Sequence, residues 1–233
     1  MCKSDQKPAR VLGLFTAKEW MILLLLAAPA VMLGVFFTLM LTEPGAPEDA
    51  AAEADLCPAE TLVAGGDVGG AFELLDTSGA VFTDQDLQGK ASLVFFGFTY
   101  CPDACPTGLQ RMALALDTLE PEERAEYQTV FISIDPERDT VEQMAAYVDS
   151  DAFPDDLIGL TGTPEQVEVA AGAYRAFYQR AEVEGASDYL MDHSTFIYLM
   201  DPDGEFVRLF RHNDPVPLLS ECLQDFLEET PSS

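Results

Sequence analysis

Two cysteines, Cys101 and Cys105, stand four positions apart where the apolar run ending Phe95-Phe96-Gly97-Phe98 gives way to Thr99-Tyr100-Cys101-Pro102-Asp103-Ala104-Cys105-Pro106. The run reads as a buried strand, and an apolar-periodic helix follows. Cys101 therefore falls in the loop before that helix and Cys105 in its first turn. There the free backbone N–H groups and the positive end of the helix dipole face both sulfurs. That environment lowers a thiol pKa, and the thiolate is both the nucleophile and the metal ligand. The spacing admits two chemistries. Helix positions four apart hold their Cβ atoms about 5–6 Å apart, whereas a disulfide wants roughly 3.5–4.5 Å. The loop position of Cys101 can close the gap, so a disulfide is open to the pair, while the wider spacing suits a metal between two sulfurs. Soft sulfurs select copper(I) or zinc over magnesium and calcium, and an imidazole would complete a trigonal site. Zinc would want a fourth ligand, which Asp192, Asp103 or water could supply.

The chain has two histidines. His212, among Arg211, Asn213 and Asp214, reads as part of a solvated loop. His193, in Leu190-Met191-Asp192-His193-Ser194-Thr195, precedes an apolar strand, where a loop could return over the cysteines. A lone histidine is more often structural, and the residue pattern leaves His193 between ligand and structural residue. Asp192 is placed to orient its ring or to ligate. Among the other cysteines, Cys222 reads as core on an apolar helix face, Cys57 as exposed and Cys2 as a cytoplasmic thiol.

The elements that position these groups alternate. Strands are expected at Ala71–Leu75, Ala80–Thr83, Ala91–Phe98, Thr129–Ile134, Thr195–Met200 and Glu205–Phe210. The stretch Ala91–Phe98 is almost wholly apolar, as a strand covered on both faces should be. Leu109, Met112, Leu116 and Leu119 recur at helical spacing up to Pro121. Thr140 caps a helix through Val148, and Thr163-Pro164 opens one over about Glu165–Tyr178. Asp201-Pro202-Asp203-Gly204 turns a hairpin. A last helix has Val216, Leu219, Leu223 and Leu227 inward. This order gives an α/β sheet with helices on both faces, which binds ligands at the carboxyl ends of its strands. The Cys101 loop and the Asp135-Pro136-Glu137-Arg138-Asp139-Thr140 stretch should then lie side by side. Turn chemistry, with Asp139 or Thr140 as a cap, explains most of that stretch, and its position allows an outer-shell or docking role.

Ahead of this domain, Trp20 to Leu41 holds no charged residue. Its 22 residues reach about 33 Å as a helix, against roughly 30 Å for a bilayer core. Residues 1–41 carry a net charge of +2 and the remainder −31. The expected organisation is a cytoplasmic tail at 1–19, a transmembrane anchor at 20–41, a flexible acidic tether at 42–66 and a folded domain at 67–233. The basic flank keeps the tail inside and exports the rest. So acidic a surface repels nucleic acid.

The segment Phe96 to Thr107, with Ser133-Ile134-Asp135-Pro136-Glu137-Arg138-Asp139-Thr140 and Asp192-His193-Ser194, resembles the three landmarks of the SCO/SenC family in order and spacing. The resemblance covers about residues 68–228. It implies a thioredoxin-like fold with a central mixed sheet, and copper(I) or copper(II) held by Cys101, Cys105 and His193. It implies a metallochaperone anchored in the inner (plasma) membrane, its main domain in the periplasm or an equivalent exported compartment. The recipient would be the binuclear copper centre of cytochrome c oxidase subunit II, and another periplasmic copper chaperone is a candidate partner. The alternative function is a thiol–disulfide oxidoreductase, with Cys101 and Cys105 redox-active, that reduces the copper-ligating cysteines of that subunit.

Overall fold

The strand Ala91–Gly97, which leads into the cysteine loop, is buried at every residue. Its alternating side chains must therefore find cover on both faces, and the rest of the domain supplies it. The computed structural model describes residues 68–182 and 189–230. In chain order the strands are β1 (Glu73–Leu75), β2 (Val81–Thr83), β3 (Ala91–Gly97), β4 (Tyr127–Ser133), β5 (Ile158–Leu160), β6 (Tyr178–Ala181), β7 (Leu190–His193), β8 (Phe196–Met200) and β9 (Phe206–Arg211). The α-helices are α1 (Ala104–Leu116), α2 (Pro121–Arg124), α3 (Val141–Val148), α4 (Pro164–Ala173) and α5 (Val216–Glu229).

Five strands form one mixed sheet in the order β5-β4-β3-β8-β9. β3 runs parallel to β4, with Phe95 opposite Phe131, and antiparallel to β8, with Phe95 opposite Ile197. β4 continues parallel to β5, and β9 antiparallel to β8. Successive side chains of a strand point to opposite faces, so the neighbours of β3 and β4 identify the layers. A methyl on Gly108 of α1 would lie 3.2 Å from the Phe95 ring. Phe131 meets Tyr147 of α3, and the Tyr127 hydroxyl donates to the Leu223 carbonyl of α5 at 2.6 Å. These three helices share the face of Phe95, Phe131 and Tyr127. Phe96 turns the other way, onto Tyr174 at the end of α4. Helices thus cover both faces, as the alternation of elements implied. Each fully buried phenylalanine contributes about 1.5–3 kcal/mol over an exposed one, and Phe95, Phe96, Phe98 and Phe131 are all at or below 1 % exposure.

The structure departs from the sequence expectation in three places. α4 stops at Ala173 and does not reach Tyr178. Arg175 adopts a left-handed φ of 54°, the Ala176 N–H returns to the Ala171 carbonyl and the Arg175 N–H to the Gly172 carbonyl. That pair of bonds is the helix-terminating motif usually built around glycine, and an arginine in that position gives no warning. β5 was not expected at all; it is three residues long, and its Gly159 sits where a methyl would meet Met144 Cγ at 2.7 Å. β6 and β7 were also not expected, and among the described strands they pair only with each other.

The tail, anchor and tether expected at 1–19, 20–41 and 42–66 lie outside the described residues, as do Cys2 and Cys57. Among the described residues no helix is long and apolar enough to cross a membrane.

Candidate metal centre

α1 begins at Ala104 with Asp103 as its N-cap residue, but the Asp103 side chain makes no capping bond. The Cys101 sulfur takes that place, accepting the backbone N–H of Cys105 at 3.3 Å. The loop itself is closed by the Cys101 N–H on the Phe98 carbonyl. Cys105 lies wholly buried in the first turn, while Cys101 is half-buried and its neighbour Tyr100 is exposed. Gly97 makes room for the inner sulfur: a methyl there would stand 2.5 Å from Cys105 Sγ and 2.7 Å from the Phe131 ring.

His193 arrives from the opposite side. The antiparallel register of Phe95 with Ile197 carries the chain ahead of Phe196 toward the loop that follows Gly97. Its Nε2 lies 3.7 Å from Cys105 Sγ. Its Nδ1 is 2.9 Å from the Ser194 carbonyl, which fixes that nitrogen as the N–H donor and leaves Nε2 facing the sulfurs. The rings of Phe98 and Phe95 stand edge-on to the imidazole, at 5.7 and 6.4 Å between centroids. One donor atom each from Cys101, Cys105 and His193 falls within 4.8 Å of the others. Two soft sulfurs and an imidazole on one point suit a soft ion.

The two sulfurs differ electrically. A hydrogen bond from the Cys105 thiol draws the Cys101 pKa down from 9.0 to about 4; burial opposes this, while His193 and the N–H groups of Asp103 and Cys105 assist it. Cys105 moves the other way: burial raises it well above 9.0, and the neighbouring Cys101 sulfur adds to the rise. The resting pair is therefore a thiolate at the rim over a thiol in the floor.

Beneath the loop lies a carboxylate. Asp139 is completely buried and accepts the Thr99 hydroxyl at 2.6 Å, the Thr99 N–H at 3.0 Å and the Ser133 hydroxyl at 2.7 Å. Burial raises its pKa, against those hydrogen bonds. Thr140, not Asp139, caps α3, accepting the Gln143 N–H. Asp139 instead ties the strand-to-loop junction of β3 to the end of β4, so the two loops do lie side by side.

Three sequence expectations are corrected. Asp192 does not orient His193; it points to the exposed face of β7, where its carboxylate is 3.5 Å from Gln179 Nε2. His212 is not in a solvated loop: it is half-buried, with its Cβ against Gly108 and its Nδ1 shielded from solvent. Cys222 is not a plain core thiol but is disulfide-bonded, with the Arg208 guanidinium 3.1 Å from its sulfur. The expected turn stretch also holds more than turn chemistry. The Asp135 carboxylate accepts the Arg138 guanidinium at 2.5 Å and the Tyr189 hydroxyl at 2.8 Å. Nothing in the sequence marked Tyr189.

Residues 61–228 match the family described as SCO1/SenC. A mitochondrial SCO1 homolog 1 of Arabidopsis thaliana is 44% identical over 154 residues, covering 66% of this chain and 45% of that protein. SenC of Rhodobacter capsulatus is 40% identical over 172 residues, covering 74% and 76%. The crystal structure of Arabidopsis thaliana ScoI with copper bound superimposes with a TM-score of 0.62 at 40% identity, over 69% of this chain and 99% of that one. The chain spans about half the length of the mitochondrial relatives from Arabidopsis thaliana, Homo sapiens and Saccharomyces cerevisiae that it matches.

Proposed function

This chain belongs to the SCO1/SenC family, and from that premise we propose that it is a copper carrier that delivers the ion to the binuclear centre of cytochrome c oxidase subunit II. Cys101, Cys105 and His193 are the ligands. The observation that carries this is the convergence of their donor atoms within 4.8 Å at the mouth of the sheet. The donor set fits copper: thiolate sulfur and neutral imidazole nitrogen are what copper(I) selects, and Cys101 supplies the thiolate without alkaline conditions. Delivery needs an accessible ligand, and Cys101 is only half-buried beside exposed Tyr100. In the same proposal residues 20–41 anchor the chain in the plasma membrane, 42–66 form the tether, and 67–233 face the periplasm or its equivalent.

Titration of the full chain with copper tests this. One equivalent should bind, and His193→Ala should change the copper(II) absorption and EPR spectra and weaken retention at least about tenfold, the loss of one ligand of three. Unchanged spectra and retention would remove His193 from the ligand set.

A second role is favoured by the asymmetry of the pair. A low-pKa rim thiolate over a buried thiol is the arrangement of a disulfide reductant. Cys101 would attack a target disulfide and release one target thiol. Cys105 would then displace the second, leaving a Cys101–Cys105 disulfide that carries the two electrons lost. This role needs no third ligand: in His193→Ala disulfide exchange should persist, slowed only by the loss of the smaller His193 share of the Cys101 shift, while copper retention falls, and that contrast separates the two.

A further inference from the structure

The third ligand is mounted differently from the first two. Cys101 and Cys105 belong to the junction of β3 with α1, in the body of the domain. His193 ends β7, whose ladder partner is β6 alone among the described strands. On its C-terminal side His193 is secured within three residues by β8 and by the Ser194 N–H on the Phe177 carbonyl. On its N-terminal side the ribbon is secured at Tyr189, where Arg180 of β6 stacks on the ring at 3.6 Å and Arg138 ties it to the body of the domain.

Arg138 sits over the turn after β4 and is only 14 % exposed, paired with the buried Asp135 carboxylate. Its Nη1 donates to the Tyr189 carbonyl at 2.9 Å, and its guanidinium lies 3.7 Å from the Tyr189 ring centre. The Tyr189 hydroxyl returns to Asp135 at 2.8 Å. The same guanidinium is 5.0 Å from the Tyr100 ring, next to Cys101, and 5.8 Å from the Phe98 ring, which stands edge-on to His193. One planar cation therefore spans the cysteine loop, the β4 turn and the histidine ribbon. Only arginine offers several donors in a fixed fork together with a flat face that stacks on rings.

We infer that Arg138 is a positioning residue for the third ligand: it fastens the His193 ribbon to the cysteine loop and so sets how readily the imidazole parts from the two sulfurs. This rests on the copper reading above. The partner chemistry follows from the geometry. A recipient that engages exposed Tyr100 competes for a face on which the guanidinium rests and loosens the ribbon.

The test uses the full chain and two variants, Arg138→Lys and Tyr189→Phe. In the metal-free protein, amide hydrogen exchange over residues 190–193 should quicken at least about tenfold in Arg138→Lys, with β3 and β8 unchanged. Tyr189→Phe, which removes the hydroxyl's bond to Asp135, should shift it the same way by less and stands in if the lysine variant does not fold. In the copper(I)-loaded protein, transfer to bathocuproine disulfonate should quicken about tenfold in Arg138→Lys. On a His193→Ala background the same change should add less than about twofold, because Arg138 acts through the histidine. Unaltered exchange in both variants, or an undiminished Arg138→Lys effect without His193, would overturn the inference. If the wild-type chain takes up no copper, the delivery reading fails, while the metal-free exchange still decides the role of Arg138.

Discussion

A cysteine sulfur that caps a helix is set apart from an ordinary thiol before any metal arrives. Cys101 accepts the Cys105 N–H and the Cys105 thiol proton, and its pKa falls from 9.0 to about 4. Between those values the folded chain binds fewer protons at this site than the unfolded chain. Stability from Cys101 therefore rises with pH across that window and is lost as pH falls toward 4. Cys105 has the opposite sign: its folded pKa is raised, so its contribution is present below 9.0 and is lost as pH rises through the folded value. Of the site pair, iodoacetamide should accordingly modify Cys101 and spare Cys105 in the metal-free protein, with a rate at Cys101 that halves near pH 4. A midpoint near 9, or equal labelling of Cys105, would contradict the assignment. The residue types at this site were legible because few side chains can do this chemistry. The split between the sulfurs was only half legible: the helix dipole was evident from position, but the full burial of Cys105 came from Gly97 and Phe131 closing over it.

Elements with chemical punctuation were the readable ones. Thr140 and Thr163 each cap the helix they precede. At α4 the Thr163 hydroxyl accepts the Gln166 N–H and the Gln166 side chain accepts the Thr163 N–H, which satisfies two terminal donors. Thr163→Ala should lower stability in urea unfolding by about 1 kcal/mol and leave copper retention unchanged, because α4 lies on the sheet face away from the cysteines. A change in retention would mean that the two faces are coupled. The other end of α4 was unreadable, since Arg175 fills a position where glycine would have signalled the stop. The ribbon was unreadable for a different reason. Tyr178–Ala181 and Leu190–His193 are four residues each, and neither packs two-sided into the core, so neither shows the apolar run that revealed β3.

For the whole molecule, the α/β class followed from element order, but the sheet order did not. The place of β8 beside β3 turns a histidine nearly ninety residues downstream into a neighbour of the cysteine loop. Local patterns carry no such information, so spacing alone left His193 undecided and the three linked motifs were needed to single it out. A separation of 54 residues likewise hid Tyr189 and its bond to Asp135. The charge imbalance, by contrast, was fully visible, and it weighs against nucleic acid without choosing a partner.

Cys222 on α5 is tied by a disulfide, on the helix whose Leu223 carbonyl holds the Tyr127 hydroxyl at the start of β4. Loss of a native disulfide typically costs about 2–5 kcal/mol, so strong dithiothreitol should lower the melting temperature of the metal-free chain by several degrees, read by circular dichroism with and without reductant. Identical melting curves would show that the bridge adds nothing. Copper work on dithiols is usually done in reducing buffer, to keep the metal-binding pair available. Here that habit has a side effect: the reagent that protects one pair of sulfurs dismantles another, and affinities so obtained belong to a slackened protein.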